Sequence, residues 1–415
     1  MHVVSEDELH DEFFPSIPPP EDAARWQAPT DLEQHLYKLA RADNGYAYLR
    51  TLATEGVYYP VRLDHAREAA EDEHPMLTVD TSDGRVVAQV YTAGVLPRPH
   101  PYLVYEYATL GALAHIVPGH VDVLVVNAAT PCEHYFLTDD EERDVWLDLH
   151  HELFVPDELM DRVVTRRTRV PEPGPLLHGL ACGAHLCFRN GDAWNTPHWH
   201  GMGYRGEMER IARDWGVDSR EEWLRMQESL LDTEVSPWYW DFVLGARNAL
   251  LQSGTGHPDQ WRDGVEASLR ARARQARTPT DDSDLSEFVA HLRDLVGKIL
   301  RYEARFRADG LLPPDGIVGS VAAWDIGRAS KMARWGLGAR YATETEMYTA
   351  LQRASRSARS AYRTWEEFSA GYILGRCLHF DEERFGSWYT TVLDAHRELT
   401  TDPDSPWLTV PFSTP

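Results

Sequence analysis

The sequence predicts an α+β protein, a small mixed sheet-helix N-terminal domain joined to a larger all-α C-terminal domain, on three observations. Segments of helical and strand period alternate from residue 31 to 160. The stretch TRRTRVPEPGP, residues 165–175, mixes arginines with prolines and forbids a regular element. From Leu176 to residue 413 the apolar residues recur almost throughout at the helical period. The expected organisation is therefore an acidic mobile arm at 1–30, an α+β domain at 31–160, an Arg/Pro linker at 161–175 and an all-α domain at 176–413.

The arm combines acidic clusters with PSIPPP, which favours extended backbone and buries little. Its Phe13 and Phe14 are suited to docking, on the body of the protein or on a partner. A helix opens at Asp31, with Leu32, His35, Leu36 and Leu39 on one side. VYYPVRL reads as a strand, and MLTVDTSDGRVVAQVYTA as a strand pair whose turn lets Gly84 take a positive φ. YATLGALAHIV is a short helix, VDVLVVNAA a buried strand, and TDDEERDVWLDLHHELF a helix with an acidic first turn that suits its dipole. This order, with the VVNAATP turn, resembles the SseB-like N-terminal domain over about 32–155. The resemblance implies no catalytic residues and points to protein contacts.

In the C-terminal region one order of signals occurs twice. ARDWGVDSREEWLRMQESL at 212–230 and ARWGLGARYATETEMYTALQ at 333–352 both run from Ala-Arg to Trp-Gly and then to a hydroxyl residue three positions before a Glu. Ser219/Glu222, Thr343/Glu346 and Thr364/Glu367 all have capping-box spacing. SPW also recurs, at 236–238 and 405–407. Two readings stand: diverged copies of one helical unit, or convergent capping grammar.

LLHGLACGAHLCFRNGDAWN, IARDWGVDSREEWL, AAWDIGRASKMARWGLGARYATETE, YRTWEEFSAGYILGR and SPWLTVPF together resemble the uncharacterised bacterial family catalogued as domain of unknown function 1266, over about 176–413. The resemblance implies a helical, intracellular domain and carries no established reaction. Its matching positions include Trp215-Gly216, Trp324-Asp325 with Arg328, Trp365, Gly375-Arg376 and Ser405-Pro406-Trp407.

Charge excludes one class of function. With 66 acidic against 41 basic residues the formal net charge is -25, a surface that repels phosphate backbones, so no nucleic-acid partner is expected. The four cysteines form no paired framework. No signal peptide or membrane span is evident, so the expected location is the cytoplasm.

Two groups could carry chemistry. Asp325 and Arg328 stand one turn apart, and Arg376 could approach the same carboxylate, with Trp324 and Trp365 alongside. Such a group either fixes helix register or forks a carboxylate or phosphate ligand. His178, Cys182 and His185 fall at i, i+4 and i+7 on one helix face, a spacing that could supply three corners of a zinc tetrahedron, with His198 and His200 nearby. Surrounding Ala and Leu favour core packing without a metal, so no cofactor is expected. Nucleophile elbows and P-loops are absent from the sequence.

The expected function is accordingly non-enzymatic: an adaptor, assembly factor or inhibitor that meets a basic protein such as a toxin or effector, its capture speeded by charge. Two alternatives are an enzyme or ligand sensor using the Asp/Arg or metal group, and cargo of a secretion or injection system.

Overall fold

The computed structural model describes residues 26–70, 72–97, 99–154, 174–198, 201–254, 257–275 and 281–413. The Pro-rich arm up to residue 25 and nearly all of the Arg/Pro linker lie outside the described residues. Residues 26–30, assigned to the arm by composition, pack on the domain: Ala28 is buried and Trp26 meets Tyr37 edge-on at 5.6 Å.

The N-terminal domain opens with α1 (Asp31–Arg41), α2 (Gly45–Glu55), β1 (Val57–Arg62) and α3 (Leu63–Glu68). There follow β2 (Thr78–Asp80), β3 (Val86–Val90), β4 (Leu103–Ala108), α4 (Leu110–Ile116), β5 (Val123–Val126), β6 (His134–Leu137) and α5 (Asp140–Leu153). β1 and β4 pair antiparallel, while β2, β3, β5 and β6 form a second sheet in that order, with β3 and β5 parallel. The expected hairpin is present, and Gly84 turns it at φ 82°. Neither α2 nor β4 is evident from the sequence pattern. β4, LVYEYA, carries a charged residue, Glu106, that its strand burial does not suggest, and that residue proves to be an interdomain anchor.

The C-terminal region is helical: α6 (Gly174–Cys182), α7 (Ala184–Asn190), α8 (Gly203–Trp215), α9 (Arg220–Leu231), α10 (Trp238–Gln252) and α11 (Pro258–Gln275) come first. α12 (Asp282–Ala308), α13 (Ala322–Gly338), α14 (Glu344–Ala361), α15 (Trp365–Phe380), α16 (Ser387–Thr401) and α17 (Pro406–Thr409) complete it. Among the described residues no helix is long and apolar enough to cross a membrane.

The two domains touch through α8. Its first residue, Gly203, bridges to Glu106 at φ 80°, where a Cβ would stand 2.4 Å from the Tyr107 nitrogen, so only glycine fits. Arg205 then donates its backbone N–H and Nε–H to the buried Glu106 carboxylate at 3.0 and 3.2 Å. Arg340, just past α13, donates to the carbonyls of His100 and Leu103. Tyr204 on α8 joins the N-terminal core, while Ile211, two turns on, joins the helical core.

All three caps form, with one difference. Ser219, Thr343 and Thr364 accept from the backbone of Glu222, Glu346 and Glu367 respectively. Only Glu346 returns the bond to its own cap residue; Glu222 and Glu367 accept from Asp218 and Arg363, one residue earlier. The two Trp-Gly pairs also differ. Gly216 ends α8 in the left-handed region at φ 63°, whereas α13 runs straight through Gly336. There the glycine makes room for Trp223: a Cβ would lie 2.1 Å from its indole nitrogen, which donates to the Met332 carbonyl at 3.0 Å.

Candidate functional site

Helix α13, AAWDIGRASKMARWGLG, is the hub of the helical domain and is buried from Ala323 to Leu337. Ala, Gly, Met and Trp account for most of that burial. A charged residue nevertheless recurs every third position: Asp325, Arg328, Lys331 and Arg334. A three-residue step rotates each charge by about 60° from the last around the helix axis, so the four spiral round it, and inside a core each must find its own partner.

The upper pair is closed. Asp325 accepts from the backbone N–H of Ser236 at 2.9 Å, from its hydroxyl at 2.7 Å, and from Arg328. Arg328 also donates Nε–H to the Trp324 carbonyl at 3.0 Å, and its guanidinium lies 4.3 Å over the Trp324 ring and 5.6 Å over that of Trp215. Burial pulls the Arg328 pKa below its ordinary value, opposed by Asp325. The first SPW repeat thus serves register, holding α10 to α13.

The lower pair is open. Lys331 forms an ion pair with Asp192, each side chain 3% exposed, and its ammonium lies 5.4 Å over the Trp335 ring. Arg334 donates to the Cys187 sulfur at 3.0 Å and the Ala193 carbonyl at 2.6 Å. From α8, the buried Glu207 brings Oε1 to the Met202 N–H at 2.8 Å and to Arg210 at 3.4 Å. Burial raises the Glu207 pKa, against the nearby charges of Arg210 and Lys331. Four buried polar atoms here have no hydrogen-bond partner: Glu207 Oε2, Arg210 Nη1, Arg334 Nε and Trp335 Nε1.

The sequence-derived candidates fall into three places. Trp324, Asp325 and Arg328 are together. Arg376 turns to the Trp388 carbonyl at 3.1 Å, and its guanidinium lies 5.9 Å from the Trp324 ring. Trp365 lies elsewhere, stacked on Trp407 at 5.8 Å and donating to the Val410 carbonyl.

His178, Cys182 and His185 do not share one continuous helix, because the chain breaks at Gly183 between α6 and α7. His178 lies against the rings of Trp365 and Phe412 at 4.7 and 5.3 Å, and the Cys182 thiol donates to the His178 carbonyl. His185 stacks on Tyr372 at 4.4 Å and shares the Ser369 hydroxyl with His396, each at 2.9 Å. Among the described residues no three His, Cys, Asp or Glu side chains are grouped to hold a metal ion. His198 pairs with Glu344 at 3.3 Å, and His200 lies outside the described residues.

With this geometry in place the comparison with known families can be read. Residues 210–412 match the family model described as a protein of unknown function (DUF1266). No curated protein and no solved structure matches the chain. The DUF1266 span contains all of α13 and both partners of the closed pair, together with Ser236. It starts at Arg210, so Asp192 and Glu207 of the open group precede it.

Asp192, Glu207, Lys331 and Arg334 were not singled out by sequence reasoning. A signal existed: a three-residue charge period in a helix otherwise built of small and aromatic residues, which identifies buried charges that need partners. Nothing local in GDAWN or YRGEMER marks those partners.

Proposed function

We propose that the chain is a non-enzymatic protein-interaction protein whose helical domain presents an aromatic platform to a basic protein partner. The observation that carries this is the pair Phe380 and Trp388, stacked at 4.5 Å and 15° while 38% and 41% exposed. Arg376 holds the platform from beneath, its guanidinium 4.9 Å over the Trp388 ring and its Nε–H on the Trp388 carbonyl. Rigid aromatic surface of this kind supplies contact area at little entropic loss, which is how interface hot spots are built. The net charge of -25 supplies the steering toward a basic partner. By contrast, the Asp325–Arg328 pair spends its hydrogen bonds internally. For residues 32–155 the SseB-like reading, supported by the strand pair and the buried Asn127 turn, adds a second contact module to the proposal.

The test is co-purification of the tagged protein and its Trp388→Ala variant at low and moderate salt. A stoichiometric basic partner that leaves as salt rises, and is lost from an equally stable variant, is the expected result. Recovery of both proteins alone, or equal retention of the partner by the variant, rejects the platform.

A further inference from the structure

The four-stranded sheet of the N-terminal domain has two edges, and they are finished differently. β2 is short, ends in the exposed Asp80 and runs into a turn where Asp83 pairs with Arg85 at 2.8 Å. Shortness and charge are what keep a sheet edge from pairing with other chains. β6, at the opposite edge, has the sequence HYFL and carries neither an acid, a lysine or arginine, nor a proline. Its side chains alternate. His134 and Phe136 turn inward onto Tyr48 of α2, at 5.1 and 5.8 Å, while Tyr135 and Leu137 face outward, 54% and 56% exposed. The register continues that outward face across the sheet: Val79, Val87, Val123 and Leu137 align in one row, and Gln89, Val125 and Tyr135 in the next. Among the described residues these valines join none of the hydrophobic core clusters, so this apolar face ends at an edge without a protecting charge.

Charge selects what can add to that edge. Asp139, Asp140 and Glu141 follow β6 directly and are exposed, and the exposed Asp122 and Asp80 stand at the same end of the sheet. The arginines nearby are engaged: Arg85 by Asp83, and Arg143 by the carbonyls of Ala114, Val117 and Thr138. The geometry points to the β6 edge as the docking site for an extended basic segment of a partner protein, which adds to the sheet as a further strand. Its backbone pairs with β6, its alternate apolar side chains pack on Tyr135 and Leu137, and its lysines or arginines meet the acidic end of the sheet. The edge lies in the other domain from the aromatic platform and stands whether or not that reading holds.

The probe is a short fluorescein-labelled peptide of alternating valine and lysine, titrated with the full chain and followed by anisotropy. It is expected to bind with a dissociation constant of about 100 μM or below, in the range of weak, small interfaces. Two further peptides separate the terms. One with glutamate in place of lysine should bind at least ~10-fold more weakly, because its charges meet an acidic end. One that keeps the lysines but is N-methylated along the edge that faces β6 should lose binding to the same degree, since it can no longer donate to the strand. Leu137→Lys, a change at an exposed side chain, blocks the edge and should weaken the valine-lysine peptide about 10-fold, and Tyr135→Lys about 5-fold. No binding, equal binding of the N-methylated peptide, or unchanged binding by both variants overturns the proposal, the second of these identifying plain charge adhesion to an acidic protein. Sedimentation of the full chain as a dimer that Leu137→Lys dissociates overturns it as well, because a second copy then occupies the edge.

Discussion

Two charge groups sit on one buried helix, two turns apart, and differ in how completely they are answered. Around Asp325 and Arg328 the serine hydroxyl, two backbone groups and two indole faces meet the charges from every side. Around Lys331 and Arg334 the ion pair is made, but a carboxylate oxygen, N–H groups of two guanidiniums and an indole N–H are left over. A fully answered pair has one arrangement and can only fix register. A partly answered one carries unspent hydrogen-bonding capacity.

The largest effect should come from breaking the closed group. Asp325→Ala leaves the Arg328 charge buried without its counter-ion and removes the acceptor of the Ser236 N–H, and should lower unfolding free energy by about 3–5 kcal/mol, measured by denaturant titration. Replacing both charges, as Asp325→Ala with Arg328→Met, should recover most of that loss, because no buried charge is then stranded. If the double variant were no better than the single, the pair would not be the closed unit described.

Acid should produce the next largest change, and it separates the groups again. Burial holds His178 and His396 down to about 4 and His185 well below its ordinary value. These rings are neutral in the folded protein, so their contribution is complete above the unfolded value of about 6.5 and is lost as pH falls toward 4, by about 3 kcal/mol for each of the first two. Unfolding midpoints measured from pH 7 to pH 4.5 should fall accordingly, and His178→Phe should flatten the curve. Glu207 acts in the opposite sense. Its raised pKa means the fold prefers the protonated acid, so acidification relieves a penalty through that group. Subtracting the profile of Glu207→Gln from that of the wild type should isolate a contribution that rises as pH falls. A flat difference would place Glu207 outside the open group's electrostatics.

The fold was more legible in sequence than the chemistry, for a physical reason. Caps and apolar periods are local, so α1, the β2–β3 hairpin, α5 and the Ser219, Thr343 and Thr364 helix starts could be read directly. β4 was missed because its charge, Glu106, answers Arg205 from the other domain, 99 residues away. Asp325 and Arg328 were found because both partners lie within one helical turn. Asp192 and Glu207 were not, since Lys331 reaches Asp192 across 139 residues and spacing cannot report a contact made by helix packing. The triad His178, Cys182 and His185 shows the converse: regular spacing, interrupted by one Gly183 break that sends its members to different neighbours.

The smallest expected effect concerns the two echoed stretches, which interlock. Trp215 meets Trp335 at 6.0 Å, and Trp223 fills the space left by Gly336. Arg220, the first residue of α9, grips Glu346, the returning partner in the Thr343 cap, at 2.6 and 3.0 Å. The cap of one stretch is therefore steadied by the other. Thr343→Ala removes the reciprocal cap and should lower stability by about 1 kcal/mol, whereas Ser219→Ala should lower it by about half as much, because Glu222 keeps its bond to Asp218. Adding Arg220→Met to each separates the two again. The steadying contact belongs to Thr343 alone, so Arg220→Met should couple to Thr343→Ala and add independently to Ser219→Ala. Equal coupling to both would mean that the echoed caps are interchangeable and that Arg220 braces the helix pair as a whole.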